Sequence, residues 1–222
     1  MMHFGEIILA AIKCQAHTVI LYGDHEQVDF INRTADARTL RSHIPMEKID
    51  HYLAAKNHRN PEDICHMLCT VYPRMLYSNP VRDSFKVHVC EGAMAVVASL
   101  PANATILTFK QSEKAELFCQ FPDREIHTIH EAEGITRKYI ILVRLHIDES
   151  FLYRGLTAEH GSLKLNKWQL VGISRHNLSC HYVTIKRNDL VRIFEDRGKN
   201  RSKVSFDNRI HNNFLCHNGP VR

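Results

Sequence analysis

No phosphate loop occurs in these 222 residues. None of the nine glycines opens a G-x-x-x-x-G-K-[ST] element, and the single Gly-Lys pair, Gly198-Lys199, continues into Asn200. That excludes a chain that cradles nucleotide phosphates by this loop on its own. Long hydrophobic runs are lacking too, and no stretch approaches the roughly 20 apolar residues of a membrane-spanning helix. The apolar run from Ile7 to Ile12 is short and follows His3 and Glu6 in place of a basic region, so no signal peptide is expected. Regular cysteine spacing is missing. Seven cysteines, an odd number and scattered, argue against a secreted disulfide framework and for a reducing, cytoplasmic compartment. There is no internal repeat or low-complexity tract. Residues 1–185 lack any surplus of charge, with twenty Lys/Arg against twenty Asp/Glu. The net +5 lies wholly in 186–222, where nine Lys/Arg face four Asp/Glu. Such a basic tail can bind phosphate backbones through counterion release; a solvated terminus is the alternative reading.

What is present reads as a soluble α/β domain. Residues 4–13 space apolar groups at helical intervals, and HTVILYG at 17–23 reads as a buried strand closing on a Gly-Asp turn. Residues 34–58 read as a polar connector. Asn60-Pro61 marks a helix start, with Glu62 and Asp63 in the first turn, Ile64, Met67, Leu68 and Val71 along one face, and Pro73 as the stop. Strands are predicted over 85–90, 104–109, 125–129, 139–146, 168–173 and 181–185. A helix is predicted over 112–120, capped by Ser112, and a short one after Ser174. Strands alternating with helices imply a mostly parallel sheet covered on both faces.

Three strings carry chemistry: GDHEQVDFINR at 23–33, HEAEGIT at 130–136 and VGISRH at 171–176. KNHRNPEDI at 56–64 and ATILTFKQSEKAEL at 104–117 fall between them. Taken singly, each has a plain reading: a solvated turn, a surface arginine before a helix, a strand-turn-helix unit. In this order they resemble motifs III to VI of the superfamily 1 helicases of positive-strand RNA viruses of the tobamovirus and alphavirus kind. The resemblance spans about residues 1–185. It implies a RecA-like sheet of the P-loop NTPase type, with 1–45 a remnant of a first RecA-like domain, 46–185 a second one, and 186–222 a basic tail.

The resemblance also implies roles. Gln27 would sense the γ-phosphate, while Arg59 and the finger Arg175 would reach the triphosphate, where a permanently charged fork suits phosphate oxygens. These three form the catalytic set. Gly134 would let backbone amides approach a phosphate and completes the nucleotide-binding set. Thr108, Lys110, His130 and Thr136 would contact the RNA. Departures are Asp29 for Pro, Asn60 for Cys, and Glu133 for Gln. The last places a carboxylate where phosphate repels it unless a metal or Arg intervenes. ATP is the implied cofactor. The implied partners are RNA, viral replicase subunits, and an upstream RecA-like domain holding Walker A and Walker B, since MMHFG at 1–5 resembles the segment just after Walker B. Mg²⁺ is expected only with that upstream half, and no metal site in this chain.

HTIHE at 127–131 coincides with motif V, and Cys65, His66 and Cys69 lack a second ligand pair. Asp148-Glu149 follows a strand as a Walker B does, but falls after motif V and reads as a loop. The implied function is the C-terminal part of an ATP-dependent RNA helicase, inactive in hydrolysis by itself. The other reading is a non-enzymatic RNA- or protein-binding module derived from a viral helicase fragment.

Overall fold

Apolar runs without polar alternation, such as Ile140–Val143, are stable in strands covered on both faces, and the chain uses them so. The computed structural model describes residues 4–21, 23, 24, 26, 27, 56–72, 75–158 and 161–200. Its helices are α1 (Phe4–Lys13), α2 (Glu62–Leu68), α3 (Ala93–Ser99), α4 (Gln111–Gln120), α5 (Lys167–Ile173) and α6 (Asp189–Asn200). The strands are β1 (Lys56–Asn57), β2 (Leu76–Tyr77), β3 (Phe85–Val89), β4 (Thr105–Thr108), β5 (Ile126–Thr128), β6 (Arg137–Arg144), β7 (Leu156–Thr157), β8 (Leu163–Lys164) and β9 (His176–Thr184).

One sheet dominates. It has five strands in the order β3-β9-β6-β4-β5, and every pairing in it is parallel. Successive residues of β6 feed opposite cores, as a period of two requires. Ile140 and Leu142 pack with Ile64, Leu170 and Val191 of α2, α5 and α6. Ile141 and Val143 pack with Val97 and Leu117 of α3 and α4. The parallel α/β sheet expected from the sequence is therefore present.

Two assignments exchange places. The sequence puts a strand over 168–173 and a helix after Ser174, whereas the structure has α5 at the first and β9 starting at the second. WQLVGI is buried on nearly all sides, so it has no period to distinguish helix from strand. A reciprocal cap decides the matter: Gln169 N–H donates to Asn166 Oδ1 at 2.7 Å, and Asn166 N–H to Gln169 Oε1 at 3.1 Å. Gly172 lets α5 lie close on the sheet, because a β-carbon there would sit 3.2 Å from Ile129 Cδ1 and Leu142 Cδ1.

Other expectations shift. Residues 17–21 form no strand, and Val19, Ile20 and Leu21 are exposed. Ser112 does not cap α4; Glu113 does, as its carboxylate accepts from the Phe109 and Lys110 amides. α6 begins inside the stretch read as a tail, and its Leu190, Val191 and Ile193 belong to the core. Residues 34–55 of the connector, Phe30–Arg33, Pro73 and the tail beyond Asn200 lie outside the described residues.

Candidate functional site

Parallel pairing sorts the candidate residues between the two ends of the sheet. β6 and β9 start in register, Arg137 opposite His176, so the residues just before them, Thr136 and Arg175, are neighbours at the N-terminal edge. The Arg137 amide donates to the Arg175 carbonyl at 2.9 Å. Arg59 arrives from a turn before α2, where Asn57 Oδ1 accepts from the amides of Arg59 and Asn60, both at 3.0 Å. Arg59 Nη1 then donates to Thr136 Oγ1 at 3.4 Å.

Arg175 is 1% exposed. Its Nε donates to the Val171 carbonyl at the end of α5 (3.1 Å), and its Nη2 to Gln27 Oε1 (3.0 Å). Gln27 Nε2 donates in turn to Asp24 Oδ2 at 3.1 Å, and the Tyr72 hydroxyl donates to the same oxygen. Burial and the neighbouring Arg59 charge push the Arg175 guanidinium down to about 10, against the pull of Glu133, Asp24 and Tyr72. Burial also lowers Arg59, with Asp24 opposing. Arg59 Nε is buried without a hydrogen-bond partner. Two adjacent guanidiniums, one with an orphaned donor, suit a ligand rich in anionic oxygens, as a triphosphate is. Gly134, at φ +83°, holds a left-handed backbone in the loop between Glu133 and Thr136.

Residues 1–184 match the family described as the viral superfamily 1 RNA helicase core domain. The chain belongs to this family. The replicase large subunit of soil-borne wheat mosaic virus (strain United States/Nebraska/1981) is 31% identical over 207 residues, covering 88% of this chain and 11% of that protein. The tobacco mosaic virus (strain B935A) replicase large subunit is 29% identical over 208 residues, covering 92% and 12%. The helicase domain thus corresponds to about a tenth of these relatives. Among solved structures, PRRSV nsp10 (helicase) overlaps 58% of this chain and 23% of that one at 17% identity and a TM-score of 0.35, too loosely to argue from.

Within this helicase domain, Gln27, Arg59, Thr136 and Arg175 converge on one corner, with Glu133 close enough to act on the Arg175 charge. The residues assigned to RNA do not converge. Thr108 and Lys110 lie at the opposite, C-terminal edge, where Thr108 pairs in register with Val143. Thr108 is fully buried and its hydroxyl donates to the Lys110 carbonyl at 3.0 Å, so it shapes the turn that presents Lys110. Lys110 pairs with Asp148 at 2.6 Å. His130 packs its ring 6.3 Å from Trp168.

The motif reading passed over Asp24, Tyr72, Asn60 and Asn79. In the sequence Asn60 marks a helix start and a departure from Cys, and neither gives it a place in the site. His176, fully buried beside Arg175, meets Ser84 Oγ at 3.0 Å, and Ser84 donates to Asp63 Oδ1 at 2.9 Å.

Burial pushes the His176 imidazole down to about 4, and it lowers His88 and His181 as well. The unfolded chain therefore binds more protons than the native one between about pH 6.5 and 4. Stability is complete above that window and falls through it, by up to ~3 kcal/mol from His176. Denaturant midpoints from pH 7.5 to 4 check this; a flat profile down to pH 5 contradicts it.

Proposed function

We propose that this domain supplies the arginine side of an ATP-dependent RNA helicase site. Arg59 and Arg175 bind the phosphate chain, and Gln27 reports the γ-phosphate through its bond to Arg175. ATP, when bound, supplies the scissile phosphoanhydride. The residues here neutralise charge at its outer phosphates, which preorganised guanidiniums do without reorganisation at the moment of reaction. The observation that carries this reading is the Arg59–Arg175–Gln27 corner, built from segments up to 148 residues apart.

Turnover further requires a phosphate-loop lysine and metal-holding carboxylates. A RecA-like domain bearing Walker A and Walker B is the partner that would bring them, with Mg²⁺, in a cytoplasmic replicase. The 222-residue chain is accordingly expected to show no ATP hydrolysis, with or without single-stranded RNA. Turnover abolished by Arg175→Ala would refute this.

RNA binding is assigned to the edge that presents Lys110 and to the basic segment after α6. Because α6 contributes core residues, the informative truncation follows Asn200. It removes four Lys/Arg and one Asp while leaving the core whole. It should reduce the slope of log affinity against log salt by about 2, at ~0.7 per phosphate contact on single strands. An unchanged slope removes the tail from the RNA site.

A second reading, a non-enzymatic RNA- or protein-binding module, is favoured by the carboxylates of Asp24 and Glu133 beside the arginines. In that case Asp24 acts as a permanent counterion, and triphosphate never enters.

A further inference from the structure

The two arginines carry like charge, and burial and mutual repulsion both act against the pair. Something must fix their spacing, and two asparagine side chains are placed to do it. Asn60, fully buried, follows Arg59 directly. Its Nδ2 donates to the Ser174 carbonyl at 2.8 Å and the His176 carbonyl at 3.2 Å, on either side of Arg175. Its Oδ1 accepts from Asn57 Nδ2 at 2.9 Å, which anchors the turn behind it. Asn79 Nδ2 donates to the Arg59 carbonyl itself at 2.8 Å and to the Asn177 carbonyl at 2.9 Å. Its Oδ1 accepts from the Val81 amide at 3.1 Å. Two amides thus tie the backbone at Arg59 to the backbone at 174, 176 and 177, across more than a hundred residues of sequence.

We propose that Asn60 and Asn79 are positioning residues that hold Arg59 and Arg175 at the separation needed to grip two phosphates of one polyphosphate chain, and so set selectivity for triphosphate over monophosphate. This rests on the reading of the arginine corner as a phosphate site. A carboxamide is suited to the task because its NH₂ serves two carbonyls while its oxygen accepts a third bond. A thiol at position 60, as in the resembled helicases, has one weak donor and cannot bridge Ser174 and His176. The Asn60 departure therefore has a structural use in this chain. A single phosphate needs one guanidinium, so its binding is indifferent to their separation, whereas a chain spanning both is not.

The experiment is a ³¹P titration of the full chain with inorganic tripolyphosphate and, separately, with inorganic phosphate. It compares wild type, Asn60→Cys, Asn79→Ala and Arg175→Ala. The expected result is a wild-type preference for tripolyphosphate, lost with Arg175→Ala. Each asparagine variant should lower tripolyphosphate affinity about tenfold, as misplacement of a charged contact does, with phosphate affinity unchanged. Asn79 is half-buried and its replacement spares the core, so it keeps the test valid if Asn60→Cys unfolds. Variants that retain the wild-type preference, or that lose both ligands equally, overturn the positioning role alone. A wild type with no preference, unaffected by Arg175→Ala, overturns the phosphate-site reading and the positioning role with it.

Discussion

Arg175→Ala is expected to weaken tripolyphosphate binding by about 10- to 100-fold, the worth of ~1.5–3 kcal/mol for hydrogen bonds to a charged group. Asp24→Asn is expected to strengthen it. The opposite signs follow from one geometry. Arg175 Nη2 is held by Gln27 Oε1, and Gln27 is held by Asp24, so the acidic side chain sits behind the bond that orients the guanidinium. Removing the Asp24 charge takes away a competitor for the arginines and leaves a side chain that still accepts from Tyr72. Arg175→Lys keeps the charge and loses the fork, so it should fall between wild type and Arg175→Ala. Calorimetric titration at low salt reads all three. If Asp24→Asn weakens binding as much as Arg175→Ala, Asp24 is a scaffold for the corner and not a competitor in it.

These opposing roles were only half legible in the sequence. Gln27, Arg59 and Arg175 were found because each stands in a string whose order is informative even when each string alone is weak. Asp24 stands in the same string as Gln27, three residues away, yet nothing local says that its carboxylate faces both arginines. Asn60 and Asn79 were beyond reach for a plainer reason. Their acceptors lie 98 to 116 residues away for the bonds to Ser174, His176 and Asn177, and only the fold brings them together.

The RNA assignments show the converse. Thr108 and Thr136 look equivalent as hydroxyls at strand ends, but one ends β4 and the other precedes β6. In a parallel sheet those are opposite edges. Strands β4 and β6 are legible because continuously buried stretches such as TILT and IILV in a βα alternation have few other uses. Strands β3 and β5 are legible because FKVHV and IHT alternate apolar with polar residues between turn signals. The α5–β9 exchange was not, because a helix buried all round has no hydrophobic face to detect. Its signal was the Asn166…Gln169 cap, which is a pair of residues and not a period.

The largest effect on stability is expected at Glu113, a carboxylate with no exposed surface that joins three parts of the C-terminal edge. One oxygen accepts from the Phe109 and Lys110 amides at 3.1 and 3.0 Å, closing the start of α4. The other accepts from the Leu145 amide at 2.8 Å and the Tyr153 hydroxyl at 3.0 Å, tying the end of β6 to the 3-10 turn at Phe151–Tyr153. Burial raises the Tyr153 phenol, so it stays a donor, and its ring lies 4.0 Å beneath the Arg144 guanidinium. Glu113→Ala strands all four donors in the interior and should cost ~3–5 kcal/mol, the range for a buried charged partner removed from its network. Glu113→Gln turns one oxygen into a donor facing two others and should cost about half as much. Urea unfolding at constant slope measures both; a loss below ~1 kcal/mol for Glu113→Ala would mean that water or neighbouring carbonyls take over its bonds. The consequence is local in function. Arg144 itself donates to the carbonyls of His146 and Asp148, so the loop carrying Asp148, the partner of Lys110, hangs on this joint. Below the unfolding transition, Glu113→Gln should therefore disturb RNA affinity at that edge. It should leave tripolyphosphate binding at the arginine corner unchanged, because the two sites sit at opposite ends of the same parallel strands.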